Sequence, residues 1–311
     1  VLQQVNNTSA QNFPLDRDYV PRYVWDAPTP LRLWHLASLD APTVAVVWAQ
    51  GFGVAARVRL PVCSLVLLAL VAWAVYIGDR LLDARAGTSA PPRHVLRDRH
   101  HFHWKHRGIF TGLALTSTAV ATWIVFTLLP ARAIKPDTVA AAATLAYFST
   151  VHIRVNLPTT LARLLKPIRS REFAIGTLFT TACVLPVWSQ PGSPFGPHLL
   201  RSVLLAPMIV FAAVAWLNCR AISMWESDTN AVLPDRVVPW ARRIGFAGLT
   251  IAAVLLASHF PRTAALLAAG GVSALLLGML DRMRRHITPV DLRAAADLVL
   301  LTPLLVLPLA R

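Results

Sequence analysis

The chain has 311 residues, 55% hydrophobic and only 14% charged, whereas soluble domains carry roughly a quarter charged residues. Together with a positive mean hydropathy and long uncharged runs, this excludes an ordinary soluble enzyme and indicates a polytopic membrane protein. The net charge of +15 sits mainly in short loops between apolar runs, which is a signal of membrane orientation and argues against nucleic-acid binding.

Residues 1–31 are polar and carry Pro14, Pro21, Pro28 and Pro30 without an apolar core. They are expected to be a polar cytoplasmic N-terminal tail and not a signal peptide. The remainder, 32–311, is expected to be a single transmembrane helical domain. A spanning helix needs about 20 mostly apolar residues. Nine runs qualify, at 32–54, 59–80, 109–130, 137–154, 172–189, 200–222, 241–259, 262–281 and 293–310. Cys63, Cys183 and Cys219 lie singly inside such runs, as small buried residues and not as a disulfide framework or zinc site.

The loops set the expected orientation. The connections after the second, fourth, sixth and eighth runs are rich in Arg and Lys, among them Arg85, Arg97, Arg99, Lys105, Arg163, Lys166, Arg242 and Arg285. The alternate connections are poor, with Arg57 and Arg59, then Arg132 and Lys135, then Arg262. The positive-inside rule puts the rich loops in the cytoplasm of a cell-membrane protein, with the N-terminus inside and the C-terminus outside.

The second run ends in Asp79 and Asp83, four residues apart and so on one helix face. Like charges so placed repel by a few tenths of a kcal/mol, a cost that a bound cation reverses. One or two carboxylates plus substrate phosphates is the usual Mg²⁺ donor set. The plain alternative is two acids at headgroup level, balanced by Arg80 and Arg85. A His-rich loop follows, with His94, His100, His101, His103 and His106. Its other basic residues suit it better to a cationic surface meeting phosphates than to a catalytic metal. Tyr147 and Arg154 close the fourth run, and Lys166, Arg169 and Glu172 precede or open the fifth.

The sixth run ends in a second acidic stretch, from Asn218 to Glu226 and Asp228. On the orientation above, it lies on the same side as Asp79 and Asp83. Trp73, Tyr76, Phe148, Trp216 and Trp225 lie near these helix ends, as an interfacial aromatic belt or as faces for a cationic intermediate. Asp40 and Asp297 are lone acids inside candidate spans, and His35, His152, His198, His259 and His286 are scattered singly.

This pattern resembles the UbiA superfamily of membrane prenyltransferases. That family is a nine-helix bundle with a cytoplasmic N-terminus and Asp-rich motifs ending its second and sixth helices. The resemblance covers about 32–310 and includes the Tyr147-to-Arg154 segment and the stretch from Lys166 to Glu172-Phe-Ala-Ile-Gly. Asp79 and Asp83 match the second and third acids of the first motif. Tyr76 and Val75 replace its first Asp and its Asn. In the second motif Asn218, Ile222 and Glu226 occupy one i, i+4 register, leaving Glu226 and Asp228 as its acids.

The resemblance implies an all-α, UbiA-like bundle that moves an isoprenoid group from a prenyl diphosphate to a lipophilic acceptor, such as a quinone-type aromatic. Asp79, Asp83, Glu226 and Asp228 would hold Mg²⁺, with Asp79, Asp83 and Glu226 catalytic. Tyr76, Arg85, Asn218, Arg154, Lys166 and Tyr147 would contact substrate. With no acceptor the cation would cyclise, as in a terpene cyclase. The thinned motifs also admit a non-catalytic lipid-binding relative, and Asp40 and Asp297 admit a small transporter.

Overall fold

The structure is a computed structural model that describes residues 29–89, 98–152, 171–190, 197–226, 237–306 and 308. Among the described residues it contains only helices. In chain order these are α1 (Pro30–Leu36), α2 (Asp40–Ala56), α3 (Val62–Ser89), α4 (Asp98–Lys105), α5 (Arg107–Thr127), α6 (Ala131–His152), α7 (Arg171–Trp188), α8 (Pro197–Glu226), α9 (Val237–Ala257), α10 (Pro261–Met283) and α11 (Pro289–Leu298). A 3₁₀ segment, Val299–Leu305, follows α11.

Five of these helices contain stretches long and apolar enough to cross a membrane, namely Val62–Arg85, Arg107–Thr127, Ser202–Trp225, Val237–Ala257 and Pro261–Met283. The protein is therefore an all-helical protein of membrane type. Ile109, Leu115, Trp123 and Phe126 stand exposed on α5, Phe126 at 73%. A face of that kind suits a lipid environment.

The other four predicted runs fall outside these five, two because they are broken and two because their helices are less apolar. The run at 32–54 is two helices, because residues 37–39 turn and Ser38 adopts a left-handed backbone with φ 60°. That conformation costs a non-glycine residue roughly 1–2 kcal/mol. It is offset by bonds that only the turn provides. Trp73 Nε1 donates to the Ala37 carbonyl at 3.0 Å, Arg80 Nη1 donates to the His35 carbonyl at 3.0 Å, and Ser38 Oγ pairs with His103 Nε2 at 2.9 Å. The run at 293–310 is α11 passing into the 3₁₀ segment. The change of winding releases carbonyls from the helical ladder. Trp48 Nε1 donates to that of Leu300 at 2.8 Å and Ser273 Oγ to that of Val299 at 2.8 Å. The runs at 137–154 and 172–189 correspond to α6 and α7.

α2 lies at the centre. Val44, Trp48, Phe52 and Ala56 are buried on it, and it packs against α3, α7, α8, α10 and α11. A helix apolar on every side belongs in the interior. The Trp48 ring stacks on Phe211 of α8 with centroids 3.8 Å apart.

Glycines set two close crossings. A Cβ on Gly271 of α10 would lie 2.9 Å from the Gly245 carbonyl oxygen of α9. A Cβ on Gly176 of α7 would lie 2.9 Å from the Ala212 carbonyl oxygen and 3.0 Å from the Trp216 nitrogen, both on α8. The second crossing matters for function, because it sets the start of α7 beside the polar end of α8.

Candidate functional site

Two polar centres emerge. The first is the mouth formed by α3, α7 and α8. Helical spacing puts Asp79 and Asp83 on one face of α3. Arg171, at the start of α7, sits over both. Its Nη2 donates to Asp79 Oδ2 at 2.7 Å, to Asp79 Oδ1 at 2.9 Å and to Asp83 Oδ2 at 3.0 Å. One positive centre thus bridges two carboxylates that would otherwise repel. The arrangement is partly exposed, with the Arg171 side chain at 42%.

The next residue, Glu172, faces Arg220 of α8 at 3.6 Å. Both line a pocket of about 280 Å³ with Trp216, Leu217, Met224, Val237 and Trp240. Trp216 and Trp240 meet edge to face at 5.6 Å. Arg171 and Glu172 therefore join an acidic, cation-holding mouth to an aromatic pocket.

The second centre is buried among α1, α2, α3, α8 and α11. His35 Nδ1 lies 2.7 Å from Asp40 Oδ2. Arg80 Nη2 donates to the same oxygen at 3.3 Å and to Tyr76 Oη at 2.8 Å, and its guanidinium carbon lies 4.2 Å above the Tyr76 ring. Asn218 Nδ2 donates to Asp297 Oδ1 at 2.9 Å, and Asp297 Oδ2 lies 3.6 Å from His35 Nδ1. Among the described residues, His35 Nε2, Arg80 Nε, Asn218 Oδ1 and Asp297 Oδ2 have no hydrogen-bond partner. Six ionisable or polar groups from five helices thus meet in one largely interior cluster. There, breaking a pair leaves a charge uncompensated at a cost of about 3–5 kcal/mol.

Several expectations change on this geometry. Arg80 does not balance Asp79 and Asp83 at the surface. It is turned inward, 1% exposed, onto Asp40. The apolar run ends near Asp79, but the helix continues to Ser89, so both acids lie within α3 and not at its end. The His-rich loop contains a helix, α4, and His103 is buried against Phe110 at 4.3 Å and Ser38. His103 is therefore not part of a cationic surface, whereas Lys105 and Arg107 are exposed. Tyr76 and Asn218 both belong to the buried cluster.

Arg85 is exposed on α3 beyond the two acids. Glu226 is the last residue of α8, and Tyr147 lies in α6, but their side chains are outside the described residues, as are Arg154, Lys166 and Asp228. Trp225 donates to Asp281 Oδ1 at 2.8 Å.

The chain matches no protein-family model, no curated protein and no solved structure.

Sequence reasoning missed the joining of Asp40 and Asp297. The available signal was cost. An acid inside an apolar span is expensive and needs a partner, and His35 lies five residues before Asp40. What the sequence did not reveal was that α11 brings Asp297 to the same place.

Proposed function

We propose that the chain is a membrane-embedded, Mg²⁺-dependent prenyltransferase on a nine-helix, UbiA-like bundle. It would move an isoprenoid group from a prenyl diphosphate to a lipophilic acceptor. The observation that carries this reading is the convergence of Asp79 and Asp83 on one positive centre, Arg171 Nη2, at 2.7 and 3.0 Å. Two carboxylates aimed at a single point suit a hard divalent cation, so the residues present fit Mg²⁺.

Asp79 and Asp83 would hold the ion, with Glu226 and Asp228 as further ligands. When bound, Mg²⁺ supplies charge neutralisation to the diphosphate leaving group. Once the carboxylates are engaged, Arg171 turns to the diphosphate oxygens, joined by Arg85, Arg154 and Lys166. The C–O bond of the allylic diphosphate breaks and its electron pair leaves on the diphosphate. The acceptor attacks the allylic carbon and gives up a proton. Trp216 and Trp240 present π faces that favour the developing cation, and Leu217, Met224 and Val237 keep water from it.

The test is release of diphosphate from prenyl diphosphates of several chain lengths by the purified protein. We expect release that requires Mg²⁺ and falls at least about 100-fold in the Asp79→Asn, Asp83→Asn double variant. Release unchanged in that variant, or none at any chain length, overturns the assignment.

One observation favours a second reading, a non-catalytic lipid-binding relative. Arg171 already supplies the positive charge that the two carboxylates call for. Prenyl-lipid binding indifferent to EDTA, with no turnover, would decide for it.

A further inference from the structure

The buried cluster is separate from the Asp79–Asp83 mouth and has the organisation of a ligand set. Asp40 Oδ1 accepts the Ala41 N–H at 3.0 Å, and Asp297 Oδ1 accepts Asn218 Nδ2 at 2.9 Å. Each carboxylate is thereby oriented by one oxygen and turns the other, Oδ2, toward His35 Nδ1, at 2.7 and 3.6 Å respectively. The three ligating atoms lie within 4.8 Å of one another, and all three residues are buried.

Carboxylate ligands held by a second set of hydrogen bonds are the usual support of a metal centre. Arg80 Nη2 reaches Asp40 Oδ2 at 3.3 Å and offsets one of the two acids. Asp297 Oδ2, on a residue 8% exposed, and Asn218 Oδ1, on a residue 6% exposed, have no hydrogen-bond partner among the described residues. Buried acceptors in that state are costly unless a cation or donor reaches them.

We infer that His35, Asp40 and Asp297 form a buried site for a divalent transition-metal ion, with Arg80 and Asn218 positioning the two carboxylates. An imidazole nitrogen beside two carboxylate oxygens selects Zn²⁺, Fe²⁺ or Mn²⁺ over Mg²⁺, which prefers an all-oxygen shell. The ion would bind His35 at Nδ1, leaving the ring proton on Nε2, a nitrogen with no hydrogen-bond partner among the described residues. The competing state is metal-free, with the His35 Nδ1–H bonded to Asp40 alone.

The test uses the full chain in detergent with His94, His100, His101 and His106 changed to Gln, so that imidazoles of the His-rich segment cannot take up metal. After chelator treatment, Zn²⁺ is added and measured by metal content and calorimetry. We expect one ion per chain, a raised melting temperature, and affinity at least about tenfold weaker in Asp297→Asn. In the Asp79→Asn, Asp83→Asn double variant, Zn²⁺ affinity should be unchanged, which separates this site from the proposed Mg²⁺ mouth.

Absence of a bound ion, or an ion held equally well by Asp297→Asn, overturns the site. Should Asp297→Asn fail to fold, the Co²⁺ spectrum of the parent chain still decides. Bands that shift when His35 is changed to Gln support the assignment, and bands that His35→Gln leaves unchanged refute it.

Discussion

Asp79 and Asp40 are both paired with an arginine, yet the two pairs differ in what they do. At the mouth, Arg171 bridges Asp79 and Asp83 with its side chain 42% exposed. Water can replace either partner, so the bridge contributes little and can open. In the interior, Arg80 and Asp40 are 2% and 1% exposed in their side chains. There no water substitutes, and removing one partner strands the other. One geometry suits a site that exchanges ligands, and the other suits a fixed framework. This is why the functional proposal rests on the mouth.

The largest test of that difference is Arg80→Leu. It leaves Asp40 facing His35 and Tyr76 without its guanidinium, and we expect a loss of about 3–5 kcal/mol, read as a lower melting temperature and yield in detergent. If Arg80→Leu is neutral, the cluster is not a framework. Next is Gly176→Val. It drives a side chain into the backbone of α8 at Ala212 and Trp216 and should cost about 1–3 kcal/mol by overpacking. It should also part Glu172 from Arg220, visible as altered fluorescence of the pocket tryptophans.

Arg171→Gln is expected to be smaller, at most about 1 kcal/mol. A loss as large as that of Arg80→Leu would erase the distinction between the two centres.

The smallest effect concerns the pair that ties α1 to α11. Arg32 donates to both Asp291 oxygens at 2.7 Å, and these bonds hold the Asp291 carboxyl below the usual carboxylate range. A carboxyl depressed in the folded state adds stability that is present above its unfolded pKa and lost as pH falls through its folded one. The pair should therefore be silent at neutral pH changes and weaken below about pH 4. Both side chains are more than a quarter exposed, so the effect is modest. In Asp291→Asn the acid limb of a melting-temperature profile should flatten, with little change in shape above pH 5.

The legible part of the molecule was the part written in local pattern. Apolar runs of span length announced α5, α8, α9 and α10 and the start of α3 within a few residues. The i, i+4 spacing of Asp79 and Asp83 announced a shared face. Less legible were the interrupted runs. The composition of 32–54 is apolar throughout most of its length, and nothing local shows that Ser38 will turn left-handed. That turn is stabilised by Trp73, Arg80 and His103, which lie 35 or more residues away. Arg80 was equally misleading, because its neighbours in sequence are the very acids it avoids. Its side chain projects to a different face of α3, toward Asp40.

The sequence alone pointed to the solvent: apolar runs of this length, with most charges in the connections between them, suit helices in an apolar medium. It also determined where two carboxylates share a face, because helical period follows from covalent geometry. Only tertiary structure decided which charges meet. His35, Asp40, Arg80 and Asp297 are separated by up to 262 positions, and what brings them together is the need of each buried charge for a partner once α1, α2, α3 and α11 have packed.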